Sequence, residues 1–269
     1  MRDRSGGGIV VRGATYIVLA GIIAPVLLMF AVSFTETKYI AFPPKGFTWQ
    51  WYRAAVNDPE FVSGLSISAR VAVISSLLSA ALGIMGGLTL TRYAGRFERP
   101  LTVLFIAPLT IPIIVYSLGL LFFFSSLGLV RSLLGLIIGH TVMTFPYSVR
   151  MVTAALGRMA REVERAAAVL GATPWQRTLR VTLPTIRPGV VAAMLFSFLI
   201  SLSNVTIALF ISGARTQTLP VIMFQRAKHE VSPEMAAMAS AMVVMTFALM
   251  LVLERRYGIY EFLERRRGA

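Results

Sequence analysis

The sequence of 269 residues has no cysteine, two histidines and three lysines. Without cysteine the chain can hold no disulfide, no metal-thiolate site and no thiol nucleophile. None of the lysines follows a glycine, so there is no Gly-Lys-[Ser/Thr] loop to cradle the phosphates of a nucleotide. The two histidines belong to no Ser/His/Asp arrangement. We therefore expect a protein that is not an enzyme, with no catalytic, cofactor-binding or metal-binding residue of its own.

Charge is also scarce. Only 14% of the residues are charged, against about 25% in an ordinary soluble domain, and 56% are apolar. The mean hydropathy of +0.73 points the same way. The few charges are unbalanced, with 26 basic and 12 acidic residues and a net charge of +14. Such a charge could attract nucleic acid, but in a membrane protein arginines also hold loops in the cytoplasm. We favour that second interpretation.

Six long runs contain no charged residue at all. They cover residues 13–35, 71–91, 100–130, 132–149, 188–214 and 235–253. A membrane-spanning helix needs roughly 20 apolar residues, and helices satisfy their own backbone polar groups in lipid. The sequence therefore predicts an all-α, polytopic membrane protein with six transmembrane helices. We expect one integral domain over residues 1–269, with a first helix at about 13–35 and a core at about 65–255.

The distribution of arginine and lysine predicts the orientation. If the N-terminus is cytoplasmic, the inner segments hold 18 basic residues and the outer segments hold 8. Cytoplasmic segments are enriched in basic residues, so both termini are predicted to be cytoplasmic. The first run, preceded by arginines, could also be a signal peptide. Its 23 uncharged residues exceed the 7–15 of a signal peptide's apolar region, which favours an uncleaved first span.

A basic segment, residues 151–189, separates the fourth run from the fifth. Its apolar residues recur at helical spacing and predict an amphipathic helix over Met151–Leu170 that continues the fourth span. Gly171 suits the left-handed position at which helices end. Residues 173–176, Thr-Pro-Trp-Gln, offer an N-cap, a proline at the first helical position and the glutamine of a capping box. They predict a short second helix at about 174–179.

Three interpretations of this segment are open from its chemistry alone. Basic amphipathic segments can simply lie on anionic lipid. Two helices around a glycine turn could also be a DNA-binding helix-turn-helix, although two membrane tethers leave little freedom to enter a groove. The third interpretation is a docking element for a cytoplasmic protein, because two rigid helices at a fixed angle can transmit a push.

The segment resembles the EAA loop of binding-protein-dependent ABC importer permeases. That pattern reads Glu-Ala-Ala, three residues, Gly, nine residues, Ile, one residue and Leu-Pro. The residues that match it at the same spacing are Ala166, Ala167, Gly171, Leu183 and Pro184. Val181 stands in place of the isoleucine. Arg165 stands in place of the glutamate, and Glu164 precedes it by one residue.

The resemblance extends along most of the chain to the second permease subunit of spermidine/putrescine-type importers. The stretches NDPEFVSGLSISARVAV and VSPEMAAMASAMVV are similar to those that lead into two of that family's spans. The resemblance implies a type I ABC importer permease fold in the bacterial inner membrane, with residues 151–189 as a cytoplasmic coupling loop. It implies contact between the ATPase and Gly171, Ala172, Thr173, Pro174 and Trp175.

The same resemblance implies the partners. They are a second permease subunit, a cytoplasmic ATPase dimer that binds the ATP, a periplasmic solute-binding protein and membrane lipid, with no role for nucleic acid. It implies that the chain forms half of the pathway for a small organic solute. A stand-alone secondary transporter or channel is the alternative from another class, and a membrane scaffold without transport is a third.

The solute itself is less well specified. Ser203 and Asn204 lie in the run that should line the path, where they could contact solute or join helix to helix. His140 in the fourth run could relay protons or contact solute, or be a neutral ring satisfied by a neighbouring helix. No acidic residue lies inside a run, although a cation crossing low dielectric would need carboxylates. We expect a neutral, zwitterionic or acidic solute, such as an opine or amino-acid derivative, rather than a polyamine.

Overall fold

A computed structural model describes residues 5–40, 42–229 and 231–257 of the chain, with side chains from residue 11 onward. Every regular element in these ranges is helical. The α-helices are α1 Ser5–Ser33, α2 Gln50–Asn57, α3 Pro59–Leu88, α4 Glu98–Ile106, α5 Ile113–Ser126, α6 Leu133–Arg158, α7 Arg161–Val169, α8 Pro174–Arg177, α9 Leu183–Thr185, α10 Arg187–Leu202, α11 Thr206–Ile211, α12 Leu219–Ala227 and α13 Pro233–Tyr257. Two short 3₁₀-helical segments lie at Gly95–Phe97 and Ala107–Thr110, and two single π-helical turns lie at Thr89–Tyr93 and Thr178–Thr182.

Three of these helical stretches are long and apolar enough to cross a membrane, namely Val11–Ser33, Pro59–Tyr93 and Pro233–Tyr257. Two sharply bent helix pairs raise the number to five if each pair is one span. The helix α6, which contains the fourth run, has 26 residues but is more polar and does not pass the same test. The all-helical membrane fold is confirmed, and the count of six spans is consistent with it but stays a prediction.

The third charge-free run is broken rather than merely kinked. Pro108 and Pro112 lie in this run, and a proline inside a helix kinks or breaks it. The helix α4 ends at Ile106, and α5 begins at Ile113 at an angle of 98° to the helical stretch before it. Proline lacks the N–H that continues a helix, and two prolines within five residues interrupt the backbone ladder twice.

The fifth run, which we predicted to form one transmembrane helix, is also broken. The helix α10 ends at Leu202, and α11 begins at Thr206 after a short irregular stretch. The side-chain Oδ1 of Asn204 accepts a hydrogen bond from the backbone N–H of Ile207 at 2.9 Å. An asparagine that bonds the first turn of a helix in this way favours a new helix start over continuation.

Contacts between Cα atoms group the chain into two compact units. One combines Met1–Val62 with Gln225–Met245, and the other combines Ser63–Phe224 with Thr246–Ala269. The single integral domain that we predicted from sequence stays a prediction. In the first unit, the ring of Phe34 stacks on that of Phe47, meets Trp49 edge-on and contacts Tyr52 of α2.

The second unit is built around α3, α6 and α10. Glycines of α3 let α6 approach closely, because a Cβ at Gly83 would lie 2.6 Å from the Cβ of Ser148. Gly87 lies similarly against Val152. In a membrane, such small residues are what allow helix backbones to pack at short distance. Apolar clusters around Leu136, Leu156 and Leu195 complete the described part of this unit.

Candidate functional site

The coupling loop, residues 151–189, starts as a continuation of α6 and then turns. The predicted continuous helix over Met151–Leu170 is wrong at Met159 and Ala160, whose extended backbones separate α6 from α7. Met159 is buried in the apolar cluster around Leu156, whereas Leu170 at the far end of the expected stripe is 87% exposed. The apolar residues of the predicted stripe are therefore buried in the core before the break, whereas Leu170 after the break is exposed.

Glu164 ties α7 to the turn Thr89–Tyr93, which follows α3. One of its carboxylate oxygens accepts a hydrogen bond from Nε of Arg92 at 2.9 Å, and the other accepts from Oγ1 of Thr182 at 2.9 Å. Arg161 adds a second tie by donating to the backbone carbonyl of Thr91 at 2.9 Å. The side chains of Arg92 and Glu164 are only 13% and 16% exposed, so solvent weakens their attraction little.

Arg165, at the position of the family's glutamate, takes no part in this pair and is exposed. Residues 164 and 165 differ by about 100° around a helix, so only one of them can face α3. The acidic residue that precedes the motif by one position makes the ion pair here. Compared with the motif, the carboxylate therefore lies one residue earlier in the chain, and the loop still contains an ion pair.

Gly171 ends α7 as its type predicts, with a φ of +84° and open space around its Cα. Its N–H donates to the carbonyl of Ala168, and the N–H of Ala172 donates to the carbonyl of Ala167, both at 3.0 Å. This pair of bonds is a Schellman motif, which satisfies carbonyls left free at a helix end. Ala166 is exposed, whereas Ala167 is half-buried. The corner between α7 and α8 is thus fixed by backbone bonds.

The short second helix begins with the predicted capping box. Oγ1 of Thr173 accepts from the N–H of Gln176 at 3.3 Å, and Oε1 of Gln176 accepts from the N–H of Thr173 at 2.9 Å. Pro174 occupies the first turn. Beyond Arg177 the chain widens into the turn Thr178–Thr182 rather than continuing as α-helix.

The end of the coupling loop is bent by proline. Pro184 cannot donate the backbone bond that would continue the α-helical ladder, which accounts for the wider turn before it. Leu183 is half-buried and packs against the cluster around Leu156, whereas Pro184 is exposed. The helical stretch Pro174–Thr185 meets Arg187–Leu202 at 72°. Residues 183 and 184 therefore anchor the loop to the core and redirect the chain into α10.

The tip of the coupling loop exposes three large apolar side chains. Val169 is 88% exposed, Leu170 87% and Trp175 70%. They flank the glycine corner, so a rigid backbone presents them together. Exposed apolar clusters held on a rigid frame are typical of surfaces that bind another protein. Trp175 was predicted at such a contact, whereas Val169 and Leu170 were not, because the periodicity placed Leu170 on the buried side.

His140 lies in the interface of α3, α6 and α10. Its Nδ1 is 2.7 Å from Oγ of Ser201, which is 3.1 Å from Oγ of Ser75. The ring is 1% exposed, and its Nε2 is buried without a hydrogen-bond partner among the described residues. One helical turn further on, a second group of hydroxyls lies in the same interface. It consists of Ser79, Ser148 and Ser197, with oxygens separated by 2.8, 2.9 and 3.4 Å.

The other two candidate solute residues do not join His140. Ser203 is exposed and donates to the carbonyl of Leu199 at 2.9 Å. Asn204 is 8% exposed, caps α11 and donates to Sδ of Met143 at 3.4 Å. Of the pair, only the Ser203 side chain is open to a solute in this conformation, and solute contact by any of the three stays a prediction.

Opposite charges also meet in the first unit, around Arg226. Its guanidinium is 2.6 Å from Asp58, 2.7 Å from Glu60 and 3.9 Å from Glu234. The hydrogen bonds that Arg226 donates to the carboxylates of Asp58 and Glu60 raise the pKa of Arg226. Burial alone would raise the pKa of Asp58, but the hydrogen bond from Arg226 and two backbone N–H groups outweigh it and lower that pKa. This cluster joins the start of α3 to α12 and α13.

Several residues of these sites had no signal in the local sequence. Arg92 and Thr182 lie 72 and 18 residues from Glu164, so only the fold brings them together. The serines of α3 and α10 do recur four residues apart, which is a detectable hint of a polar helix face. Within the described part of the chain, no group of three or more His, Asp and Glu side chains could hold a metal ion.

Comparison with known proteins gives the family. The sequence model of the family described as "Binding-protein-dependent transport system inner membrane component" matches residues 79–268. The spermidine/putrescine transport system permease protein PotC of Haemophilus influenzae is 28% identical over 237 residues, covering 88% of this chain and 92% of that protein. The putative 2-aminoethylphosphonate transport system permease protein PhnV of Salmonella paratyphi A is 28% identical over 256 residues, covering 94% and 95%.

Solved structures agree on the fold. A crystal structure of a bacterial ABC transporter involved in the import of the acidic polysaccharide alginate superimposes with a TM-score of 0.70, at 17% identity and 99% coverage of both chains. The predicted family resemblance is confirmed, because the family model covers most of the chain and the helical fold follows that of an ABC importer. The chain belongs to the family of binding-protein-dependent transport system inner membrane components, which are permeases of ABC importers.

Proposed function

We propose that this chain forms half of the translocation pathway of an ATP-driven importer and performs no catalysis itself. The observation that carries the proposal is the coupling loop, a rigid corner with an exposed apolar tip at Val169, Leu170 and Trp175. Its other contacts reach into the membrane helices through Glu164 and through the apolar cluster around Leu156. A surface of this kind can pass a push from a cytoplasmic protein to α3, α6 and α10.

The proposed partners follow from this architecture. A cytoplasmic ATPase dimer binds and hydrolyses ATP, and each ATPase receives one coupling loop. A second permease completes the pathway, and a periplasmic binding protein delivers the solute. In support, the two relatives are permease proteins of transport systems, and the structure that superimposes is that of an ABC transporter. We also propose that both termini are cytoplasmic, as the excess of arginine in the inner segments predicts.

The transport cycle would use the coupling loop as a lever. ATP binding closes the ATPase pair and draws the two coupling loops together. The tie between Glu164 and Arg92 moves the cytoplasmic end of α3 with α7, and the buried cluster moves α6 and α10. Hydrolysis separates the ATPases and returns the helices. The hydroxyl groups shared by α3, α6 and α10 keep these helices paired as they move.

For the solute we propose a small zwitterionic, neutral or acidic organic molecule rather than a polyamine. Among the described residues, the buried polar groups between the three helices are hydroxyls and one imidazole, with no carboxylate. A cation in low dielectric would need carboxylates for compensation. The names of the relatives include both a polyamine system and a 2-aminoethylphosphonate system. Measuring which compound binds the cognate periplasmic protein tests this choice.

Photo-cross-linking tests whether the exposed tip contacts an ATPase. Because the chain has no native cysteine, Val169→Cys can carry a single benzophenone maleimide in the assembled transporter. We expect illumination to join this position to the ATPase subunit. Val56→Cys is the matched control, because Val56 is also well exposed, at 68%, but lies in α2 on the predicted outer side. It should give no ATPase product.

A stand-alone transporter or channel would need no ATPase at the coupling loop. If Val169→Cys gives no more ATPase product than Val56→Cys, in membranes where both subunits are present, that alternative is favoured and the docking proposal is wrong.

A further inference from the structure

A cavity lies between the end of α3 and the short helix α8, Pro174–Arg177, which we call the coupling helix. Its volume is about 210 Å³, several times the roughly 30 Å³ that one liquid water occupies. It is lined by Leu88, Arg92, Tyr93, Glu164, Pro174, Arg177, Thr178 and Thr182. The floor is buried, with Thr182 at 2% exposure, whereas Tyr93 at the rim is 72% exposed. The cavity therefore opens to solvent beside Tyr93.

The charges in this cavity do not balance. The Glu164 carboxylate is satisfied by Arg92 and Thr182, so it leaves no oxygen without a donor. Arg177 contributes a second guanidinium, and no carboxylate of the described residues lies within salt-bridge distance of it. Two guanidinium groups thus face one carboxylate.

The side chain of Arg177 also carries an unpaired donor. Its Nε–H is buried and makes no hydrogen bond to any described residue, so no acceptor offsets the charge of this guanidinium at that atom. Burying a charged group without a partner is unfavourable, and native proteins compensate such charges with a counter-ion or a ligand nearby. An oxyanion in the cavity would offset the excess positive charge, whereas water would not.

We propose that this cavity binds a phosphate group, chiefly through the guanidinium of Arg177. Nε and Nη2 of Arg92 already donate to Glu164, which leaves Nη1 of Arg92 as a second donor. Guanidinium groups are preferred partners of phosphate, because charge and directed N–H···O bonds act together. The hydroxyl of Thr178 is already used, since it donates to the carbonyl of Pro174 at 3.0 Å. The arginines therefore provide the recognition, and the threonines shape the cavity.

The phosphate can come from two sources with the same chemistry. One is the headgroup of an anionic lipid, because the cavity lies at the cytoplasmic end of a predicted span, where basic residues meet such headgroups. The other is free inorganic phosphate from the cytoplasm. In either case the bound group would join the end of α3 to the coupling helix and hold Pro174–Thr182 more firmly. This consequence for coupling rests on the proposed function, whereas the binding itself does not.

Hydrogen exchange on the full transporter complex tests the proposal. The complex is placed in nanodiscs of phosphatidylcholine alone, of phosphatidylcholine with phosphatidylglycerol, or of phosphatidylcholine with added inorganic phosphate. We expect slower amide exchange over residues 174–182 in the second or the third condition, and the condition that protects identifies the source. The midpoint concentration of the protecting anion is the measured quantity.

The Arg177→Gln variant removes the unpartnered guanidinium, and we expect the midpoint to rise roughly tenfold or more, the range of one charged hydrogen bond. Arg177→Lys keeps the charge but not the paired donors, so its midpoint should lie between those of Arg177→Gln and the natural chain. Arg180→Gln is the control, because Arg180 is exposed on the same turn and does not line the cavity. Its midpoint should match that of the natural chain.

Two results would overturn the proposal. One is the absence of protection in both anion conditions, and the other is an equal midpoint for Arg177→Gln and Arg180→Gln. Either result would mean that the cavity holds water only. Failure of the docking proposal is distinguishable, since it would remove the ATPase cross-link at residue 169 while leaving anion protection intact.

Discussion

At the scale of single residues, the acidic residue of the coupling loop lies one position earlier than in the family pattern and still forms an ion pair. The family pattern places a glutamate at position 165, and this chain has arginine there with Glu164 before it. In the structure Glu164 faces the end of α3 and pairs with Arg92, while Arg165 points to solvent. A motif position is therefore less informative than the helix face on which the side chain lies.

Replacing Glu164 by glutamine should weaken the coupling loop. Glutamine keeps the size and can still accept from Thr182, but it leaves the mostly buried Arg92 without its counter-charge. Removing one partner of such a pair costs about 1–3 kcal/mol. We expect a lower unfolding midpoint and reduced uptake, measured by thermal unfolding of the complex and by solute transport in vesicles.

Glu162→Gln serves as the control for this change. Glu162 is exposed in the same helix, and surface substitutions usually alter stability by about 0.5 kcal/mol or less. Equal losses in the two variants would show that charge on α7, and not the pairing with Arg92, is what matters.

Local chemistry predicted some of these residues and not others. Gly171, Thr173 and Gln176 were predictable, because the left-handed corner and the capping box depend only on neighbours in sequence. The partners of Glu164 were not, because they are brought together by the fold. The exposure of Leu170 was also missed, since helical periodicity cannot reveal a break at Met159 and Ala160.

At the scale of helices, the charge-free runs predicted where apolar helices lie but not where they stop. Two runs break, the third between Ile106 and Ile113 and the fifth after Leu202. The third run has two prolines at its break, and proline inside a helix can either kink it or end it. The fifth run has no proline at its break, and only the capping role of Asn204 accounts for it. The composition of a run cannot reveal a helix break that depends on a single capping side chain.

The packing of α3 on α6 makes a prediction at this scale. Replacing Gly83 by alanine would put a methyl group 2.6 Å from the Cβ of Ser148 and 2.9 Å from its backbone carbon, so the helices must separate. Overpacking of this kind costs about 1–3 kcal/mol, and we expect a lower unfolding midpoint of the detergent-solubilised complex.

Gly119→Ala is the matched control, because Gly119 also lies inside a helix but has open space around it. There the alanine should be neutral, or stabilising by about 0.5–1 kcal/mol through better helix propensity. A Gly83→Ala protein as stable as Gly119→Ala would contradict the close contact between α3 and α6.

At the scale of the whole molecule, composition, charge asymmetry and one spaced motif predicted the class of protein before any fold was known. The family match is to a membrane transport component, which agrees with a role of the excess arginine in membrane topology rather than in nucleic-acid binding, while the topology itself stays a prediction. The structure adds the connections from the coupling loop to the three central helices. These connections are what a lever needs, and sequence could not supply them because each joins distant parts of the chain.

The central claim, that the coupling loop binds an ATPase and drives uptake, is tested most directly at Gly171. Valine there must adopt a φ near +84°, which costs an L-residue about 1–2 kcal/mol, so the corner should distort. We predict that Gly171→Val lowers the ATPase retained on the purified permease roughly tenfold and lowers uptake with it. Gly128→Val, at a φ of +67° with equal open space but outside the loop, should retain both. Retention and uptake in Gly171→Val equal to those in Gly128→Val would contradict the account.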